Sequence, residues 1–478
     1  MMQLRIVAAV LSVLMCAANV EAQPPAGAAG EESFLQTPSI PFGSRIQRTM
    51  KLLATSTPEH KHRVRILFYG QSITGGWTNI VLKDLKARFP NADIVCENRA
   101  IGGFMAPMLS QTAEADLYPF YPDLLFLQDY GALDPAMERM YAAVHDRTTA
   151  EVLAFTHHID YCGDRISYKN LDKESAKIRE LAERYGFETV DVRPSWRKYL
   201  EVKNLDRRKL LGDGVIHLNP EGVALMAKIA MPHLRYIPNP PAAGPDRVRY
   251  YDASGARLEG SRDDAKGAVL QKPLRLAFTG NRVDVAAMPT AGKLGTARIL
   301  IDGKKPSELP GVYATTRTSH CLGNWFPALR CVELGRGAVA EKWDLILTKA
   351  NEKCTEFEYE VKGSVTGPDG KGDSKHKFVS NSGRLIIDPE WFTLETSCRV
   401  FKKPIPVGFD ITWQVIEKFM NDWKPQPIKD QTKEDLYTLA QGFSNGKHVL
   451  EIIPNGDGDV PVNYVTVYQP AAPLSAEK

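Results

Sequence analysis

RVRILFYGQSITGGWT, residues 63–78, is the stretch from which the fold of this chain is read. An apolar run from Val64 to Tyr69 stops at Gly70-Gln71-Ser72, and a helix-compatible stretch follows from about Thr78. A short apolar run closed by glycine reads as a buried parallel strand entering a sharp turn. Strands covered on both faces show no polar alternation, and glycine lets the backbone reverse. Residues just past such a strand stand at the carboxyl edge of the sheet, where open α/β folds bind ligands. Ser72 is therefore a hydroxyl on a tight turn near a helix N-terminus, a place that stabilises negative charge. It reads as a nucleophile or as a helix N-cap, and the stretch alone leaves both open.

Working outward, strands and helices alternate. An amphipathic segment, Ile80 to Phe89, carries Val81, Leu82 and Leu85 on one face. A short strand at Asp93–Cys96 leads to a glycine turn at Ala100–Phe104, and Pro122 introduces the apolar strand Leu124–Leu127. Then come a helix from Pro135 to His145, a strand Glu151–Phe155, a helix Lys173–Tyr185 and a strand Thr189–Val192. GDGVIHLNPEG and a helix from Glu221 to Leu234 close the unit. Five strands alternating with helices predict a parallel sheet covered on both faces. The proline-rich segment IPNPPAAGPD (237–246) marks a boundary. Beyond it, short alternating runs such as LRLAF (274–278), ARILIDG (297–303) and WDLILT (343–348) predict an all-β half, a sandwich. A surface loop is expected at 366–378 and one helix at Ile411–Trp423.

A chain of 478 residues with 43% apolar and 24% charged residues has room for two or three domains. A formal net charge of +3 gives no reason to expect a nucleic acid or membrane surface as partner. Arg5, the apolar stretch Ile6–Ala18 and the small-residue site Val20-Glu21-Ala22 read as a cleaved secretory signal over 1–22. No later run is long enough for a membrane span, so a secreted or periplasmic protein is expected. A leader (23–62), an α/β domain (63–237), a linker (238–247) and a β-sandwich domain (248–478) follow. Cys96, Cys162, Cys321, Cys331, Cys354 and Cys398 remain after the signal, an even number that permits disulfides, one or two of them in the C-terminal half. No cysteine or histidine spacing points to a metal site.

Chemistry-bearing residues gather at the strand ends. Gly102 and Gly103 follow the second strand and can present a backbone N–H to an oxyanion. Asp213 and His217 lie in the turn before the last helix. A serine, a histidine and an acid are what acyl transfer requires: the imidazole takes the serine proton and the acid holds its tautomer.

These residues carry a resemblance to the SGNH (GDSL-type) esterase and lipase superfamily, covering residues 63–235. Gly70-Gln71-Ser72-Ile73-Thr74 resembles its first block, Asn98-Arg99-Ala100-Ile101-Gly102-Gly103 its second, and Asp213 to His217 its last. The resemblance implies a flavodoxin-like three-layer α/β/α fold. It also implies Ser72 as nucleophile, His217 as general base, Asp213 as its orienting acid, and the N–H groups of Ser72 and Gly103 as the oxyanion hole, with no metal or organic cofactor. Gln71 departs from the usual Asp. The third block, Gln128-Asp129-Tyr130-Gly131-Ala132-Leu133-Asp134, lacks the oxyanion asparagine, and the acid-to-histidine spacing is four where the family has three. His157 and His158, after the strand Glu151–Phe155, read either as a replacement donor or substrate contact, or as a polar loop. Trp77 and Tyr130 read as a sugar-stacking wall or as core.

The β half resembles the jelly-roll accessory modules of carbohydrate-active enzymes. Trp325, Trp343, Trp391 and Trp423 read there as a sugar platform or as core, and NGDGD (455–459) as a calcium loop or a hairpin turn. The expected function is a secreted serine esterase removing acetyl or similar acyl groups from a poly- or oligosaccharide. The alternative is a glycan-binding protein whose hydrolase-like domain is inactive or weakly active.

Overall fold

The computed structural model describes residues 34–161, 171–241, 244–259 and 261–474. The expected signal (1–22) and Cys162 lie outside the described residues.

The opening stretch forms β1 (Arg63–Gly70), which pairs in parallel with β2 (Asp93–Asn98) on one side and β3 (Leu124–Gln128) on the other. β4 (Glu151–Phe155) and β5 (Glu188–Val190) extend the sheet, again in parallel, to the order β2-β1-β3-β4-β5. That is the flavodoxin-like order, and its topological switch point lies at the carboxyl end of β1. Successive side chains of β1 alternate between two buried faces, as a strand's period of two requires. Val64, Ile66 and Phe68 pack with α1 (Gln47–Thr55), α2 (Trp77–Arg88), α6 (Val192–Val202) and α7 (Pro220–Ala230). Leu67 and Tyr69 pack with α3 (Ala106–Asp116), α4 (Pro135–Arg147) and α5 (Leu171–Tyr185).

Three of these helices go beyond the sequence reading. α3 and α6 fill connections that had none, and α1 falls inside the stretch assigned to a leader. Ile46, Met50 and Leu53 are fully buried at helical spacing, so residues from about 46 belong to the layered domain.

Residues after 247 form antiparallel sheets. Seven strands, within 248–301 and 422–468, make one sheet. Its strands 297–301 and 435–454 pair directly, with Ile301 opposite Leu450. The chain between them makes a separate unit: a five-stranded sheet, a three-stranded sheet and α8 (Leu394–Phe401). The apolar side chains of the seven-stranded sheet gather into a cluster of their own, whereas those of the inserted unit join the cluster of α3 and α4. The two halves are therefore continuous through their cores. Arg317 of the insertion also closes on Asp116 of α3, with contacts of 2.8–3.1 Å.

Two further expectations are corrected. Asp410–Glu417 is a strand, with Ile411, Trp413 and Val415 buried alternately, and the helix of this half is α8. The expected loop holds a strand, Gly367–Asp373, paired with Phe357–Gly363. Its Gly372 makes room for the Tyr359 ring, since a Cβ there would lie 2.5 Å from it. Cys96, Cys321, Cys331, Cys354 and Cys398 are free thiols; the Cys354 and Cys398 sulfurs stand 3.2 Å apart, unbonded. At the 455–459 turn, Asp457 accepts from the Thr296 N–H and hydroxyl, both at 2.8 Å, which ties the turn to the start of the strand 297–301. No helix among the described residues is long and apolar enough to cross a membrane.

Candidate active site

Gly70 ends β1 because no other residue fits there. A Cβ would lie 2.0 Å from the Gln128 carbonyl oxygen and 2.4 Å from Thr74 Oγ1. The chain then turns through Gln71–Thr74, closed by the Thr74 N–H donating to the Gln71 carbonyl at 2.8 Å. Asn98, at the end of β2, donates from Nδ2 to the Thr74 carbonyl and holds this turn from below. Ser72 is left exposed at its tip. The N-cap of α2 is Gly76 and it makes no side-chain cap, so Ser72 does not serve the helix.

The histidine arrives on the turn between 211 and 218, whose ends pair as Leu211 and Leu218. Asn219 caps α7 by accepting from the Gly222 N–H, and Pro220 occupies the first helical turn. Asp213 organises the turn. Its Oδ1 accepts from the N–H groups of Val215, Ile216 and His217 at 2.8–3.1 Å, and its Oδ2 lies 2.7 Å from His217 Nδ1. Gly214, at φ +68°, takes up the extra residue of the four-residue spacing. Partial burial works to raise the Asp213 pKa. The His217 contact and the backbone donors outweigh it and bring the value down to about 2.

His217 Nε2 stands 3.1 Å from Ser72 Oγ. With Nδ1–H donated to Asp213, Nε2 carries the lone pair that accepts the serine proton. A second acceptor competes: Gln71 Oε1 lies 2.9 Å from Ser72 Oγ and 3.0 Å from the Ser72 N–H. One hydroxyl proton cannot serve both, so activation requires the hydroxyl to swing from Gln71 to His217. The Ser72 N–H must likewise leave Gln71 before it can hold an oxyanion. Gly103, at φ +86°, donates its N–H to none of the described residues.

The third block is a packing knot and carries no asparagine. Asp129 is buried, accepts from the Tyr130 N–H and is pushed well above the usual carboxylate range by burial. Glu174 of α5 takes the N–H groups of Gly131 and Ala132. The same carboxylate lies 3.2 Å from His157 Nε2, and the His157 ring stacks on Tyr130.

His157, His158, Trp77 and Tyr130 do not line the site: each is 0–1% exposed. His158 donates from Nε2 to the Ile216 carbonyl and packs on Trp196, and burial drives its pKa down to about 4. It supports the His217 turn from behind. Trp77 donates to the Ile73 carbonyl and fills the core with Phe68 and Phe155. Glu174 of α5 and Trp196 of α6 cover the two histidines, and the burial of all four side chains corrects the substrate-contact reading for each. Gln71, in sequence a departure from the motif, is in the structure a direct contact of the serine. Its position next to Ser72 was the available signal.

The first half is thus a doubly wound parallel sheet of flavodoxin-like order, with a serine after its first strand and an acid–histidine pair before its last helix. No family model matches the chain, and no curated protein matches it. Among solved structures it is similar to an acetylxylan esterase from Geobacillus stearothermophilus, at 16% identity and TM-score 0.33 over 38% of this chain and 98% of that one. It is also similar to a GDSL-like lipase from Parabacteroides merdae, at 16% identity and TM-score 0.33 over 37% of this chain and 98% of that one.

Proposed function

We propose that this protein is an exported serine esterase that removes acyl groups, acetyl foremost, from carbohydrate. The observation that carries the reading is the unbroken chain from Ser72 Oγ through His217 to Asp213, with contacts of 3.1 and 2.7 Å. Ser72 attacks the ester carbonyl as His217 Nε2 takes its proton. The tetrahedral oxyanion is held by the N–H groups of Ser72 and Gly103, and as the C–O bond to the sugar breaks the imidazolium gives its proton to the departing sugar oxygen, leaving the acyl group on Ser72 Oγ. Water then enters by the same route and releases the acid. Asp213, ionised across the neutral range, holds the tautomer throughout. The Gln71 carboxamide takes the place of the absent asparagine: once substrate displaces its oxygen from Ser72, its NH2 is a side-chain donor beside the nucleophile.

A second reading is a carbohydrate-binding protein of low activity. The Ser72 N–H already engaged by Gln71 favours it. One comparison decides between them. The protein and its Ser72→Ala variant are assayed on small acetyl esters and on acetylated xylan and pectin, with fluorophosphonate labelling in parallel. Labelling and acetate release that vanish in Ser72→Ala are the expected result. Acetate release from no substrate, and no label on Ser72, overturn the esterase reading.

A further inference from the structure

Trp325 comes from the unit inserted into the seven-stranded sheet, yet it sits at the serine. Its indole Nε1–H donates to the Gly102 carbonyl at 2.9 Å, across 223 residues of sequence. Gly102 lies between the two: a Cβ built on it would be 3.3 Å from Trp325 Nε1 and 3.5 Å from Ser72 Cβ. The next residue, Phe326, lies beside Gly103, its ring 3.4 Å from the corresponding Cβ position. The loop carrying both is rigid. The Cys321 N–H donates to the Phe326 carbonyl at 2.7 Å, and Asn324 bonds the Phe326 N–H and Ser397 Oγ. Phe401 of α8 meets both rings edge-on, with centroids 5.0 and 5.1 Å away.

Two consequences follow from these contacts. In a trans peptide the C=O and N–H point in opposite directions. Anchoring the Gly102 carbonyl to the indole therefore turns the Gly103 N–H the other way and keeps it fixed there. In addition, Trp325 is 53% exposed although held on one edge by a hydrogen bond and by Phe401. A rigid, open aromatic face within reach of a nucleophile offers an apolar wall for a flat sugar ring, while its N–H remains occupied.

We propose that Trp325 completes the active site from the second half of the chain: it positions the Gly102–Gly103 oxyanion peptide through its N–H, and its exposed face receives the pyranose ring bearing the ester. This rests on the esterase reading and adds the residue that selects carbohydrate esters over simple ones.

The test uses the full chain and two substrates, p-nitrophenyl acetate, which has no sugar, and acetylated xylooligosaccharides. Trp325→Phe keeps a ring but cannot donate. It is expected to lower kcat about 3- to 10-fold on both substrates with KM unchanged, the effect of one lost hydrogen bond. Trp325→Ala is expected to add a rise in KM of about 10-fold on the oligosaccharide alone. A purely structural role would lower the unfolding midpoint and depress both substrates alike, without this split. If Trp325→Ala does not fold, Trp325→Phe still decides the positioning step. A kcat for Trp325→Phe within twofold of wild type overturns the proposal, and so does a KM in Trp325→Ala that shifts equally, or not at all, on the two esters. If the wild-type protein shows no Ser72-dependent turnover of either ester, the esterase reading fails and this inference fails with it. Normal wild-type turnover with indifferent Trp325 variants refutes the inference alone.

Discussion

Asp213→Asn separates the two tasks that one carboxylate performs. Its Oδ1 closes the turn by accepting three backbone N–H groups, and its Oδ2 faces His217 Nδ1 at 2.7 Å. An asparagine must keep its oxygen on the backbone donors, so its NH2 turns to the ring. Nδ1 then has to accept, and the imidazole proton moves to Nε2, the atom that should take the proton of Ser72. The same exchange in a serine-protease triad costs about 10⁴-fold. Here the dyad is open to water, so the imidazole can reorient, and a loss of about 10²- to 10⁴-fold in kcat is expected. Stability should change far less. A carboxyl whose pKa moves from 3.8 to about 2 is favoured as the anion by about 2.5 kcal/mol. The side chain is 38% exposed, and solvent screening reduces the stability contribution to about 1 kcal/mol. Because the folded-state value is depressed, that contribution is present above 3.8 and is lost as pH falls toward about 2. Urea unfolding of the two proteins should thus differ by about 1 kcal/mol near neutral pH, and the gap should narrow in acid. Steady-state hydrolysis of p-nitrophenyl acetate, read against the Ser72→Ala background, gives the rate. An Asp213→Asn variant that keeps a third or more of the wild-type kcat would refute the assignment of Asp213 as the orienting acid.

Arg317→Met should destabilise the protein by about 3–5 kcal/mol in urea unfolding, because it strands the Asp116 carboxylate, 3% exposed, without its cation. Adding Asp116→Leu should recover most of the loss, and a single variant as stable as wild type would show that this contact does not join the halves. Gly70→Ala should cost about 1–3 kcal/mol by driving the end of β1 off β3, and kcat should fall with it as Ser72 shifts. Gly244→Ala, with open space around it, is the control; equal unfolding midpoints for the two variants would contradict the crowding at Gly70.

The first half was legible where local chemistry and tertiary role coincide. Val64–Gly70 has one reading, since a continuous apolar run ending in glycine suits little besides a buried strand and turn, and Asn219-Pro220-Glu221-Gly222 announces the start of α7. α1 was readable in principle from Ile46, Met50 and Leu53, but no polar cap precedes it and its mean composition is polar. Asp410–Glu417 misled because Ile411, Val415 and Ile416 also recur at helical spacing, and only the burial of Ile411, Trp413 and Val415 shows a period of two. Gly367–Asp373 has almost no β-forming residues, and what the sequence does not display is its pairing with Phe357–Gly363, where Gly372 leaves room for the Tyr359 ring. The position of His157 and His158 at the sheet edge was legible, but their burial was not. It depends on Glu174 and Trp196, supplied by helices α5 and α6.

The same distinction explains what was missed around Ser72. Ser72, His217 and Asp213 are carried by turns that each follow or precede a recognisable element, so sequence order suffices to gather them. Trp325 had no such marker among the tryptophans of the β half. Trp343 and Trp423 are buried to within 1% of full burial, as sandwich tryptophans usually are, whereas Trp325 stands 53% exposed. What brings it to Gly102 is topology. Strands 297–301 and 435–454 pair across the insertion, and the inserted sheet joins the core of α3 and α4. The loop Cys321–Phe326 then projects over the turn after β2. A missing asparagine in the third block looked from sequence like a loss confined to one motif. In the folded chain the turn after β2 is braced from outside its own half, because the Trp325 indole donates to the Gly102 carbonyl, so what fixes the Gly103 N–H has to be sought across both halves.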